Sequence, residues 1–363
     1  MQKIHVGVIG CGNISGIYLQ NLTGIFADRV HVAAVCSRTV EKAQAAAAKY
    51  GVEKVYATAE ELVADDSIQL VLNLTTPDQH TSLNLLALEH GKHVYCEKPL
   101  AITREDARKQ LDLARQKGLK LGCAPDTFLG AGLQTARKLL DDGAIGDIVS
   151  VNAAMHSHGV EHWHPSPEFY YKRGGGPMFD MGPYYLTALV SLAGPVEAVS
   201  AYGRVTFPQR KITSRPRYGQ VIDVEVPTHM AGVMRFVSGA VGTITTTFDV
   251  YDDHQACLEI FGTRGSLRLP DPNKFGGPVQ LLRAGELAYA EVPLTHAYAE
   301  NSRGLGVWDM CRALQEGGAA RTDAALACHV VDLMCAFHDA AQNGHECILA
   351  STCHRPAAME GNI

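Results

Sequence analysis

Lys98 stands in an uncommon place for a lysine. In "GKHVYCEKPLA" a short apolar strand runs straight into Glu97-Lys98-Pro99, where a buried segment stops. Such an ammonium either closes a structural ion pair or does chemistry, because burial and a nearby positive charge lower a lysine's proton affinity until it can exchange protons near neutrality. A second stretch, "GGGPMFDMGPYY", sets Asp180 and Tyr184 four residues apart. That is about one helical turn, so both can face one cavity. Three glycines before them let backbone approach a ligand closely. Asp180 reads either as a hydroxyl ligand or as a plain helix N-cap. Tyr185 falls off that face and reads as core.

A third pattern says what ligand these groups serve. Gly10-Cys11-Gly12-Asn13-Ile14-Ser15 follows the strand "KIHVGVIG" and opens a helix. A tight turn followed by bare backbone lets a pyrophosphate reach free N–H groups at a helix N-terminus. Gly10, Gly12, Asn13 and Ile14 are therefore expected to hold a dinucleotide, with Ser15 in place of the usual third glycine. Where an acidic residue would bind the 2′-OH of NAD, the second strand ends in Ser37-Arg38. Two readings stand. Arg38 and Ser37 hold a 2′-phosphate, which slightly favours NADP, or Arg38 is a solvated cation and NAD is bound. Thr75, Thr76, Pro77 and His80 follow the fourth strand, and Glu97 and Lys98 the fifth. Ligands of doubly wound sheets lie outside the carboxyl ends of the strands, so these residues are expected to line the cofactor crevice. If the nicotinamide end of such a dinucleotide lies there, it would accept a hydride from an alcohol, and Lys98 would take part in removing the hydroxyl proton. Glu97 either orients the ammonium or faces the cofactor amide.

The histidine-rich stretch "HSHGVEHWHPSPEFYYKRGGG" invites a metal reading through His156, His158, His162 and His164. No cysteine or carboxylate cluster supports it, and hydride transfer needs no metal, so none is expected. Sugar recognition suits the residues better. Trp163 offers a flat apolar face to a pyranose, and His164 and Arg173 offer hydroxyl contacts. Asp126 and Thr127, after the sixth strand, are placed on the crevice wall, and one or other of them is expected to touch substrate. His329, in a late helix, reads as a satisfied core histidine.

The elements that must position these groups fall into two sets. Residues 1–125 alternate near-continuous apolar strands with amphipathic helices, an α/β Rossmann domain with a doubly wound parallel sheet. Residues 126–363 change rhythm, with successive strands "VEAVSAYGRV", "PTHMAGVMRF", "AVGTITTTFDV", "ACLEIFG" and "GSLRL" joined by glycine turns. They read as an α+β domain with an open, mostly antiparallel sheet for substrate binding and oligomerisation. Thr58 and Thr76 are read as openers of capping boxes. Leu326, Val330, Leu333, Met334 and Phe337 make a helical packing stripe.

The bulk properties agree. Of 363 residues, 46% are hydrophobic and 19% charged, and the net charge of −6 argues against coating nucleic acid. No apolar run reaches the roughly 18 residues of a membrane span, and the N-terminus carries no signal-peptide pattern. Ten cysteines without a Cys-x-x-Cys pair suggest reduced thiols and a cytoplasmic setting.

Taken together, "GVIGCGNIS", "TTPDQH", "GKHVYCEKPLA", "GAIGDI" and "GGGPMFDMGPYYLTALVSLAGP" resemble the Gfo/Idh/MocA family of sugar and polyol oxidoreductases, in the family's order from residue 6 to about 195. The resemblance implies a Rossmann domain, an open-sheet domain, a nicotinamide near Lys98 and often a cis peptide before Pro99. At the position of Tyr184 the family often has histidine; the tyrosine matches the glucose-fructose oxidoreductase branch. On this reading Tyr184 transfers the proton, Lys98 lowers the phenol's pKa and polarises the oxygen, and Asp180 binds a hydroxyl. The alternatives are a redox-neutral NAD-dependent glycoside hydrolase or lyase, and a non-catalytic cofactor sensor. A sheet face with no helix to cover it suggests a homodimer or homotetramer.

Overall fold

The computed structural model describes residues 2–251 and 257–361. The chain divides into two compact units: residues 1–127 with 301–328, and residues 128–300 with 329–363.

The first unit is built on six parallel strands, β1 (Ile4–Ile9), β2 (Val30–Cys36), β3 (Lys54–Tyr56), β4 (Leu70–Asn73), β5 (His93–Cys96) and β6 (Leu121–Cys123), ordered β3-β2-β1-β4-β5-β6. Five helices connect them: α1 (Ser15–Thr23), α2 (Val40–Tyr50), α3 (Ala59–Ala64), α4 (Pro77–Glu89) and α5 (Arg104–Gln116). β4 and β5 are buried almost throughout, as strands covered on both faces must be. The strand order reverses between β1 and β4, and that switch point is where such sheets bind ligands.

Local chemistry sets the helix ends. Thr58 Oγ1 accepts from Glu61 N, and Glu61 reaches back to Ala57 N, so this end carries the expected reciprocal cap. Thr103 caps α5 through Asp106 N. Gly51 ends α2 at φ 70°, left-handed backbone that glycine adopts without strain. Thr76 differs from expectation: its side chain makes no cap bond to α4, and Gln79 donates to Asp78 instead.

The sequence reading assigned residues 301–328 to the second domain, but they pack with the first unit. Cys123 N donates to Thr322 O, and Gly122 bridges Asp323 beside β6. A helix over Leu305–Glu316 lies in this returning segment.

The second unit opens with α6 (Ala131–Asp141) and β7 (Ile148–His156), followed by α7 (Gly176–Asp180) and α8 (Gly182–Ala193). Then come β8 (Val196–Arg204), the small hairpin β9 (Gln209–Lys211) and β10 (Val221–Asp223), β11 (His229–Phe236), β12 (Val241–Thr247), β13 (Cys257–Gly262), β14 (Gly265–Arg268), β15 (Val279–Arg283), β16 (Ala290–Val292) and β17 (Cys347–Ile348). Nine of them form one sheet, β16-β15-β14-β13-β7-β12-β11-β8-β17, antiparallel except where β7 meets β12. Ala256, read into the β13 strand, lies outside the described residues.

One face of this sheet is core: Met230, Met234 and Phe236 on β11 and Ile244 on β12 are buried. Gly232 is there because Phe337 lies against it, and a Cβ would meet that ring. Phe337 belongs to the long helix Ala324–Asn343, whose stripe of Leu326, Val330, Leu333, Met334 and Phe337 is buried as expected. By length and composition this helix could cross a membrane, a candidate that the count of unbroken apolar residues passed over; 61% of its most apolar stretch is buried. The opposite face of the sheet exposes Tyr202, Val233 and Val241.

Candidate active site

In the first unit the glycine turn divides its labour. Gly10 has φ 104°, and a Cβ there would come within 2.8 Å of the Leu74 carbonyl group. The turn is thus pressed against the end of β4. Gly12 is exposed, and a Cβ on it would meet nothing within 4 Å, so its backbone faces open space at the start of α1. Ser15, at the position of the usual third glycine, is buried, and its hydroxyl donates to Gly12 O at 2.7 Å. Asn13 is exposed and Ile14 half-buried beside it. Open backbone and unpaired helix N–H groups suit an anionic pyrophosphate. At the end of β2, Ser37 is 9% exposed and Arg38 is exposed.

We expect Gly12→Ala to leave the melting temperature unchanged and weaken NAD binding at least about tenfold, whereas Gly10→Ala should lower both because the turn itself must shift. Calorimetry and a dinucleotide titration separate the two. Unaltered affinity in Gly12→Ala would remove the pyrophosphate from this turn.

The β4 loop is set from below. Asn73 Oδ1 accepts from Thr75 N and Thr75 Oγ1, and its amide donates to Asn84 Oδ1; Asn84 in turn donates to Gln110 Oε1. Each amide in this buried chain satisfies the next. Thr75 and Pro77 are half-buried and Thr76 exposed. His80 departs from expectation. It is 0% exposed, with Nδ1 2.7 Å from Pro99 O and Nε2 3.1 Å from Thr75 O. With both nitrogens engaged and no accessible surface, it cannot touch a cofactor; it braces the β4 loop against the loop after β5. Burial alone would lower its pKa, but the Cys96 sulfur and the two carbonyls push it up to about 9.

At the end of β5, Glu97 is 8% exposed, and its two oxygens accept from Tyr18 Oη at 2.8 Å and from Lys98 N at 2.9 Å. The Lys98-Pro99 peptide is cis, as the resemblance implied. Asp126 is the second correction. It is 1% exposed, and its Oδ2 accepts from Gly304 N at 2.9 Å and Gly306 N at 3.0 Å. It caps the helix Leu305–Glu316 instead of reaching substrate. Burial pushes this carboxyl up to about 6, against the pull of those two N–H groups.

In the second unit, Asp180 closes α7 and Tyr184 lies in the first turn of α8. Met181, not Asp180, occupies the N-cap position of α8, so the N-cap reading of Asp180 lapses. Gly176, at φ 78°, is pressed to Pro227 O, where a Cβ would come to 2.9 Å. Tyr184 is 8% exposed and Asp180 half-buried; Tyr185 is core at 1%. Burial lowers the His164 pKa, opposed by the negative charge of Asp180, so His164 and Asp180 feel each other. The His164 ring stands edge-on to Trp163, Phe169 and Tyr170 at 5.4, 5.5 and 5.2 Å. Trp163 is 57% exposed, and Arg173 is exposed as well.

The other histidines go elsewhere. His158 stacks on Tyr251 at 3.6 Å, and among the described residues no group of three or more His, Cys, Asp or Glu could hold a metal. His329 is a core residue: Nε2 accepts from Val196 N, Nδ1 contacts Ser351 Oγ, and burial lowers it to about 4.

Beneath the aromatic loop lies a cluster that the sequence did not reveal. Arg210 is 5% exposed and donates to Glu161 Oε1, Asp249 Oδ1 and Phe248 O, while Tyr171 Oη donates to Glu161 Oε2. Glu161 O also accepts from Thr213 N and Ser214 N, and Ser214 Oγ donates to His164 O. The loop that carries Trp163 and His164 is thereby anchored. In "PQRKITSRPR" Arg210 is one basic residue among several, and only contact distinguishes it.

Comparison with known proteins agrees with this architecture. Residues 4–124 match the family described as "Oxidoreductase family, NAD-binding Rossmann fold", and residues 133–268 match the "GFO/IDH/MocA C-terminal domain". The chain belongs to the GFO/IDH/MocA family of NAD-binding oxidoreductases. Among its relatives are trans-1,2-dihydrobenzene-1,2-diol dehydrogenase of Bos taurus, 27% identical over 80% of each chain, and D-glucoside 3-dehydrogenase of Escherichia coli, 28% identical over 71% of this chain and 74% of the other. A solved structure of levoglucosan dehydrogenase in complex with NADH and levoglucosan superposes with a TM-score of 0.82, covering 96% of this chain and 99% of that one at 22% identity.

Proposed function

We propose that the protein is an NAD(P)-dependent dehydrogenase that oxidises a secondary alcohol of a cyclic sugar, sugar derivative or polyol. The observation that carries this reading is within the first unit: the open backbone of Gly12 and the Glu97-Lys98 pair both sit at the carboxyl ends of one parallel sheet, Gly12 at its switch point after β1 and Glu97-Lys98 after β5, one strand beyond β4. The relatives named above, a dihydrobenzenediol dehydrogenase and a glucoside 3-dehydrogenase, support the substrate class.

Gly10, Gly12, Asn13 and Ile14 would hold the pyrophosphate, with Thr75, Thr76 and Pro77 lining the same crevice. NADP is the finer choice we favour, since Ser37 and the accessible Arg38 offer a 2′-phosphate donors where an acidic residue would select NAD. When bound, the nicotinamide supplies the hydride acceptor. The chain's own groups handle the proton: Tyr184 takes it from the hydroxyl, Lys98 polarises the oxygen and makes the phenol more acidic, and Asp180 holds a neighbouring hydroxyl. Trp163 covers the ring's apolar face, and His164 and Arg173 reach its hydroxyls.

The exposed sheet face with Tyr202, Val233 and Val241 fits a homodimer or homotetramer, and ten free cysteines suit a reducing, cytoplasmic setting.

Incubation with a panel of sugars, glycosides and inositols, each with NAD and NADP, tests the proposal. We expect reduced cofactor to accumulate in proportion to substrate consumed, faster with NADP. Product without net reduced cofactor would identify a redox-neutral hydrolase or lyase instead. Dinucleotide binding with no turnover across the panel would favour a sensor.

A further inference from the structure

Tyr18 has no place in the site as read from sequence, where it is one residue of an apolar helix. In the structure it is 0% exposed, on the second turn of α1, and its phenol donates to Glu97 Oε1 at 2.8 Å. Glu97 Oε2 accepts from Lys98 N at 2.9 Å. Both carboxylate oxygens are thus committed, one to the helix that begins at the glycine turn and one to the backbone of the lysine. The helix itself is pinned one turn later, where Asn21 Nδ2 donates to Asn301 O at 2.9 Å and Arg303 O at 2.8 Å. Asp126 holds the next residues of that segment, Gly304 and Gly306, so the strand ends of β5 and β6 and the start of α1 share one rigid frame.

A buried phenol can be plain packing. Three features argue otherwise. The hydroxyl is spent on a carboxylate 79 residues away rather than on a nearby carbonyl. A nearly inaccessible carboxyl group needs its oxygens hydrogen-bonded, and Tyr18 supplies the bond to Oε1. Burial, together with the Glu97 and Asp126 charges, holds the Tyr18 phenol well above its usual range, so near neutrality it is a donor.

We propose that Tyr18 is a positioning residue for the reaction: its phenol fixes the Glu97 carboxyl group, and Glu97 in turn fixes the backbone from which Lys98 projects. This rests on the reading of Lys98 as a participant in proton transfer, and it assigns the glycine-turn helix a second task beyond holding pyrophosphate. Removing the hydroxyl takes the donor from Glu97 Oε1 in a buried site, which loosens the grip of the carboxyl group on the lysine's backbone.

The test uses Tyr18→Phe, which keeps the ring. We expect kcat to fall about tenfold at neutral pH while KM for the substrate and NAD affinity change less than about threefold. Amide exchange at Lys98, followed in the cofactor-free protein, should speed at least about tenfold, since its bond to Glu97 Oε2 is no longer held in place. In a Glu97→Ala background, where the relay is already broken, Tyr18→Phe should cost little further activity. Unchanged exchange at Lys98, or additive losses in the double variant, overturns the proposal. If the exchange speeds but Lys98→Ala remains fully active, Tyr18 positions the lysine's backbone as stated and it is the catalytic reading that fails. Should Tyr18→Phe fold poorly, Tyr18→His in the otherwise native chain, whose ring N–H restores a donor, is measured in its place; a kcat there below about a tenth of wild type counts against the proposal.

Discussion

Lys98→Ala is expected to lower kcat by about a thousandfold, with NAD affinity within about threefold of wild type. A positioned acid–base group contributes roughly 10²- to 10⁴-fold, and a charge that acts only on the reacting oxygen is lost from kcat and kcat/KM alike. The bond from Lys98 N to Glu97 Oε2 is made by the backbone, and alanine keeps it. Lys98→Arg should recover little, since a guanidinium stays protonated and is shaped for bidentate anions. Stopped-flow traces with saturating substrate, beside a dinucleotide titration, measure both halves. A loss below about fivefold would remove Lys98 from the chemistry, and a matching loss of NAD affinity would make it a cofactor ligand only.

The largest effect on stability should come from Arg210→Ala. The guanidinium is buried with Glu161 and Asp249, whose side chains are themselves 11% and 4% exposed. Deleting one member of such a cluster leaves uncompensated charge in the interior, at a cost of about 3–5 kcal/mol. For a unit of this size that corresponds to a fall of roughly 10 °C in melting temperature. The same cluster anchors the loop of Trp163 and His164 through Glu161 O and Ser214, so KM for the sugar should rise while NAD affinity holds. The triple change Arg210→Met, Glu161→Gln, Asp249→Asn should regain much of the lost stability, because no charge is then left behind. Differential scanning calorimetry of the single and triple variants decides the matter. If Arg210→Ala costs under about 1 kcal/mol, the cluster is wet and the anchoring argument falls.

Much of the first unit was legible from residues alone. Strand and helix periods, the glycine turn and the threonine cap of α3 depend on neighbours a few residues apart, and the structure shows them where the pattern placed them, whereas Thr76, read in the same way, makes no cap bond. The strands of the second sheet were found by the same route, although the short pieces β9, β10, β15, β16 and β17 carry too few residues to declare a period.

Side-chain roles were less legible. His80 and Asp126 sit in the right loops, yet His80 turns inward to Pro99 O and Thr75 O, and Asp126 spends its charge on backbone 178 and 180 residues further along. Tyr18 and Arg210 carried no signal, because a tyrosine in an apolar helix and an arginine in a basic loop look ordinary until their partners are known.

By itself, then, the order of residues determined the parallel sheet, the turn that can cradle a dinucleotide, and the strand end that presents Lys98. The tertiary structure alone decided which polar groups are buried together and hence which are occupied: Tyr18 with Glu97, Arg210 with Glu161 and Asp249, and residues 301–328 with the first unit. The reason lies in range. Backbone geometry and capping are settled between near neighbours, whereas a buried charge must find its donors wherever the folded chain happens to bring them.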